Sequence, residues 1–180
     1  MEPTIDSGYA RQASSTKAVL DSFSNSLCLA KWFQLTLHLH IGHGQSCHHV
    51  STHKIPASQI GNDPRALHNS KEKLQARKKM LGGQRPSECQ YCWNVEDLGR
   101  MSDRHFKGSE EWAYPHLLEA VHPTDGKNVN PKYLEVAFDN VCNFKCAYCD
   151  LQSSSRWQEE IERLGAYPTQ YNNPIWYRLQ

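Results

Sequence analysis

The clearest pattern along the chain is an alternation. In KWFQLTLHLHI (31–41), Phe33, Leu35, Leu37, Leu39 and Ile41 fall on one side, and Gln34, Thr36, His38 and His40 on the other. A period of two predicts a half-buried strand. GHGQ (42–45) follows as a turn, with Cys47 just past it on a return strand. That pairing would bring Cys47 back toward Cys28.

The period then lengthens. DPRALHNSKEKLQARKKMLGG (63–83) predicts helix, started by Asp63–Pro64 and again by Ser70, and stopped by Gly82–Gly83. Leu74 and Leu81 share a face, and the Lys and Arg residues between them read as a solvated one. SECQ (87–90) has the S-x-x-Q form of a capping box, with Ser87 as the cap. It places Cys89 and Cys92 in the first turn of a helix, three apart and on one face. The positive helix terminus there favours thiolate over thiol.

KYLEVAF (132–138) predicts a strand with Leu134, Val136 and Phe138 on one side. SSSRWQEEIERLG (153–165) predicts a helix with a Ser155–Gln158 capping box and an apolar face of Trp157, Ile161 and Leu164. Glu159 and Arg163 form an i,i+4 pair, and Gly165 stops the helix. Between strand and helix lies a cysteine loop, so the unit opens a β/α repeat.

These elements predict an α+β fold. Residues 1–26 read as a flexible N-terminal arm, and 27–98 as a small domain with a hairpin and helices. Residues 99–131 read as a loop-rich linker with one short helix around HLLEAV. Residues 132–180 supply the first strand–loop–helix of a β/α unit.

Composition narrows the function classes. Among 180 residues, 20 Lys plus Arg face 19 Asp plus Glu, which gives no general pull toward nucleic acid or membrane. The most apolar stretch is broken by Gln34, His38 and His40, so no segment is expected to span a bilayer. MEPTIDSGYARQASSTKAV lacks the apolar core of a secretory signal. The expectation is a soluble, cytoplasmic protein.

In such a setting seven cysteines, an odd number, are a poor disulfide framework. Their spacing separates them into Cys28, Cys47, Cys89 and Cys92, then Cys142, Cys146 and Cys149. The first four suit one closed metal site. Cys89 and Cys92 alone form a C-x-x-C that fits zinc, a redox pair or a cluster. Cys28 also fits the role of a small buried hydrophobe. His48, His49 and His53 are placed to be outer donors or substitute ligands. Three cysteines at the end of a strand leave one position open, which is a catalytic arrangement.

CNFKCAYC (142–149) resembles the C-x3-C-x2-C signature of radical S-adenosylmethionine enzymes, including the aromatic Tyr148 before the third cysteine. The resemblance implies that Cys142, Cys146 and Cys149 hold a 4Fe-4S cluster whose fourth iron is chelated by S-adenosylmethionine. It implies reductive cleavage of that cofactor to a 5′-deoxyadenosyl radical, which abstracts hydrogen from substrate. Tyr148 and Phe144 would lie near the cofactor.

Further segments, LCLAKW, SCHHVSTHKIP, LHNS, RKKMLGGQRPSECQYCWNVED and YLEVAFDNVCNFKCAYC, look in their order like the members of this family with an auxiliary-cluster twitch domain, here ahead of the barrel. That implies an auxiliary 4Fe-4S cluster on Cys28, Cys47, Cys89 and Cys92. It also implies a reductant such as ferredoxin or flavodoxin, and a peptide or small-molecule substrate. A complete β/α barrel takes roughly 200 residues or more, so the expectation is a truncated barrel. The alternative is a non-catalytic zinc or iron–sulfur module for binding or electron transfer.

Overall fold

The computed structural model describes residues 5–55, 57–122, 129–147, 149 and 153–165. It is an α+β chain that divides into two compact units: residues 1–37 with 42–136, and residues 38–41 with 137–180. Helix α1 (Ile5–Phe23) leads into the five-residue α2 (Leu29–Phe33) and strand β1 (Gln34–His38). Strands β2 (His43–Gln45) and β3 (His53–Lys54) follow, then α3 (Ala57–Ile60), α4 (Lys71–Leu81) and α5 (Gln90–Asp97). Next come α6 (Asp103–Gly108), α7 (Leu117–Val121), β4 (Tyr133–Ala137) and α8 (Ser155–Leu164). The sheet order is β3-β2-β1-β4, with β2 and β3 antiparallel.

The alternating stretch 31–41 is only partly strand. Its first residues wind into α2, and Leu39–Ile41 form a 3-10 turn, with Leu39 and Ile41 exposed. Within β1, Leu35 and Leu37 are buried, but so are Gln34 and Thr36. The strand is covered on both faces, so alternation of residue type does not report solvent there. Thr36 Oγ1 donates to Glu135 Oε2 at 3.2 Å on the neighbouring β4. GHGQ is not all turn: Gly42, at φ +66°, makes the turn, and the next three residues are β2 itself. A non-glycine residue would be strained at that φ.

The N-terminal segment is a packed helix rather than a flexible arm. Ala13, Thr16 and Leu20 of α1 are buried. A side chain at Gly108 of α6 would meet Leu20 Cδ1 at 3.0 Å and Thr16 Cγ2 at 3.4 Å, so glycine permits the close approach of α1 and α6. Residues 99–122 and 129–131, expected to be linker, are likewise packed, and 123–128 lie outside the described residues. Arg104, His105, Ala113, Leu117, Ala120 and Val129 are all buried, several in one cluster with Leu27, Trp32, Phe33, Met80 and Trp93. Gly99, at φ +73°, makes the turn between α5 and α6.

Helix α4 is capped by Ser70, whose Oγ accepts from the Lys73 N–H at 3.4 Å. It reverses the expected faces: Lys73, Ala76, Arg77 and Met80 are buried, while Leu81 is exposed. The capping boxes shift too. Ser87 makes no capping hydrogen bond; Ser87–Cys89 is a 3-10 turn and Cys89 is the residue before α5. At α8 the cap is Ser154, not Ser155, and Arg156 pairs with Glu159 at 2.9 Å.

Candidate metal centres

Three segments of the first unit deliver the first cysteine set to one place. Cys28 precedes α2, Cys47 follows β2, and Cys89 and Cys92 lie at the start of α5. All four line one hollow, together with Lys31, His49, Met80, Trp93 and Arg104. An adjoining hollow is lined by Cys28, Cys47, Cys92, His49 and Asp103. Each has about 20 Å³ of free space, enough for one ion or one water. No three of the four sulfurs lie within 4.8 Å of one another among the described residues. Tetrahedral zinc, at about 2.3 Å from each sulfur, would hold them about 3.8 Å apart. The spacing is thus wider than a closed zinc site.

The surroundings of these sulfurs disfavour the thiolate, contrary to the expectation that the start of α5 would favour it, because burial outweighs the nearby donors. Burial pushes the Cys28 thiol up to about 12, and Cys47 and Cys92 add to the rise. Burial also raises Cys89 and Cys92. Against this, the Lys31 ammonium lowers Cys89, and the Arg104 backbone N–H and Ser102 hydroxyl lower Cys92. Lys31, Lys73, Arg77 and Arg104 are all buried in this unit. Lys73 Nζ donates to the Gln34 carbonyl at 2.8 Å and meets His68 Nδ1 at 2.8 Å. Only Lys31 and Arg104 of these cations line the hollow, and both are already paired with carboxylates, Lys31 with Glu88 and Arg104 with Glu96 and Asp21.

Arg104 is held on several sides. It donates to Glu96 Oε1 at 2.9 Å and Oε2 at 2.8 Å, to Asp21 Oδ1 at 3.1 Å, and to the Leu27 carbonyl at 2.9 Å. This fixes the backbone that meets Cys92. Neither Glu96 nor Arg104 stood out in the sequence, because their partners are distant along the chain.

The second set lies in the second unit. Cys142, Cys146 and Cys149 are half-buried thiols outside any disulfide. The loop is tied to α8 by its backbone: the Cys142 N–H donates to Ser155 Oγ at 3.1 Å, and Ser154 Oγ donates to the Phe144 carbonyl at 2.9 Å. Trp157 Nε1 donates to the Cys146 carbonyl at 3.0 Å, and the Cys149 N–H to the same carbonyl at 3.0 Å. Phe144 is exposed, and Tyr148 lies outside the described residues. Beside the loop an open cavity of about 360 Å³ is lined by Asn143, Lys145, Arg156, Glu159, Glu160 and Arg163.

His48 and His49 sit in the turn after Cys47, beside Asp103. Burial and the neighbouring His49 lower the pKa of His48. His53 approaches Glu88 Oε2 at 3.4 Å instead.

Among the described residues no helix is long and apolar enough to cross a membrane. No protein-family model matches the chain, and no match to it is found among curated proteins or solved structures, so the case for its chemistry rests on these two cysteine sets.

Proposed function

We propose that the chain is a radical S-adenosylmethionine enzyme, or the N-terminal segment of one. The observation that carries this reading is the three-cysteine loop, half-buried and backbone-anchored to α8, although its three sulfurs do not all lie within 4.8 Å of one another. When bound there, a 4Fe-4S cluster supplies one electron, drawn from a reductant such as ferredoxin or flavodoxin, that splits S-adenosylmethionine into methionine and a 5′-deoxyadenosyl radical. Cys142, Cys146 and Cys149 would hold three irons, and Ser154, Ser155 and Trp157 keep the loop in one conformation. The polar cavity beside Lys145 and Arg156 gives a charged cofactor access to that side of the loop. The chain order of β4, cysteine loop and α8 supports this reading; substrate would be a peptide or small molecule.

Anaerobic reconstitution tests the reading. Two four-iron clusters correspond to about eight irons per chain. S-adenosylmethionine should then alter the spin resonance of the loop cluster, and Cys146→Ala should abolish that change. A chain that takes up no iron overturns the proposal, as does a cofactor response that survives Cys146→Ala.

The four-cysteine count at Cys28, Cys47, Cys89 and Cys92, lining one hollow, is compatible with a second reading for that set, a structural zinc. About four irons with one zinc per chain would establish it and leave the loop assignment intact. Zinc at both sets would make the chain a non-catalytic binding module.

A further inference from the structure

We propose that His48, His49 and Asp103 form a separate site for a divalent first-row transition metal, bound by nitrogen and oxygen rather than sulfur. The three donor atoms lie within 4.8 Å of one another, the one such His/Cys/Asp/Glu group among the described residues. Both rings present Nε2 to the same carboxylate oxygen. His49 Nε2 is 2.7 Å from Asp103 Oδ2, and His48 Nε2 is 3.4 Å from it. Two ligands each about 2.0–2.2 Å from one ion stand about 3 Å apart when cis-octahedral and about 3.4 Å apart when tetrahedral. The His48 separation falls in that range, and the shorter His49 contact is a hydrogen bond that an ion would replace by a small side-chain shift.

The ligands come from rigid supports. His49 stacks on Tyr91, with ring centroids 3.7 Å apart and planes 12° apart, which fixes its rotation. The two imidazoles pack at 4.0 Å. Asp103 is the first residue of α6, whose start is locked where the Ser102 N–H donates to His105 Nδ1 at 3.1 Å. The His48 side chain is 59% exposed, so the positions left open by three protein ligands face water.

Two histidines and a carboxylate suit ions of intermediate softness such as Zn²⁺, Fe²⁺ or Co²⁺, and the open positions are those of a reactive rather than a closed structural site. This donor set contains no sulfur, but His49 and Asp103 also line the hollow of Cys28, Cys47 and Cys92, so the test must read whether sulfur joins the ion. The proposal does not rest on what the cysteines hold.

The test uses the full 180-residue chain with its cysteines first loaded with the iron or zinc they take up. Co²⁺ is then titrated while absorption is recorded. One equivalent should bind with visible d–d bands and no thiolate-to-cobalt charge transfer in the near ultraviolet. His48→Gln, at an exposed position, should weaken Co²⁺ binding at least about tenfold, with Asp103→Asn acting in the same direction. Iron or zinc at the cysteines should not change. Absence of Co²⁺ uptake overturns the proposal, and so does unchanged affinity in His48→Gln. A thiolate charge-transfer band would place the ion on the cysteines. Loss of iron in His48→Gln would place the histidine in the cysteine site. These readouts are separate from iron uptake and cofactor response at the loop, so failure of either proposal is recognisable alone.

Discussion

Lys31 Nζ lies 2.6 Å from Glu88 Oε1, with the lysine side chain 2% exposed. The pair joins α2 to the residue just before Cys89, so it positions a cation beside the sulfurs as well as two segments beside each other. Lys31→Met keeps the stem and removes the charge. We expect a loss of about 2 kcal/mol, the scale of a hydrogen bond to a charged group, and weaker retention of metal by the first cysteine set. Urea unfolding of apo and loaded protein measures both; an unchanged midpoint in each would disprove the role.

Acid should destabilise the first unit through His68. Burial, then Lys73 and Arg77, lower its pKa to about 2. The folded value is depressed below the ordinary 6.5, so below about 6.5 the unfolded chain takes a proton that the folded chain refuses. Stability therefore falls as pH drops from 6.5 toward 2, by about 2 kcal/mol at pH 5 from this group. Lys73, also lowered chiefly by burial, pushes in the same direction. His68→Gln should flatten the dependence of melting temperature on pH between about 5 and 7. An identical slope in the variant would remove His68 as its cause.

Alkylation of metal-free protein should separate the two cysteine sets. Cys89 and Cys92 are buried, and burial holds Cys28, Cys89 and Cys92 in the unreactive thiol form. Cys142, Cys146 and Cys149 have partial access to solvent. Iodoacetamide under native conditions at pH 8 should label the three loop cysteines first, by at least about tenfold in rate. Peptide mass spectrometry reads the order. Early labelling of Cys89 or Cys92 would mean that the first site is open.

Ser155→Ala should loosen the loop. It deletes the acceptor for the Cys142 N–H and the donor to the Cys142 carbonyl at 3.3 Å. The expected local cost is about 1 kcal/mol. Hydrogen exchange at the Cys142 amide should quicken, and metal occupancy of the loop should fall while the first set keeps its own. Equal losses at both sets would point to general unfolding instead.

The legible parts of this chain were those encoded locally. Ser70 as a cap, Gly82 as the end of α4, Gly165 as the end of α8 and the cysteine spacings all act within a few residues. Polar residues that earn burial through distant partners were not legible. Lys73 and Arg77 read as solvated cations, yet their partners are the carbonyls of Gln34 and of Lys31 and Trp32, some forty residues earlier in the chain. Arg104 read as linker for the same reason. For the first cysteine set, spacing grouped the four residues, and the hollow places them side by side. Asp103 was missed because nothing near it in sequence announces a histidine pair.

Asp103 and Arg104 are neighbours on the six-residue α6, one beside the histidine pair and the other beside Cys92. Successive residues on a helix are rotated by about 100°, and that rotation is what sends the two side chains to different destinations. Chain length just ahead of Ser102 is therefore under a double constraint. One inserted residue would swing both side chains off target together, where most surface turns absorb such a change silently. Sequence drift in this stretch should proceed by substitution and not by insertion or deletion.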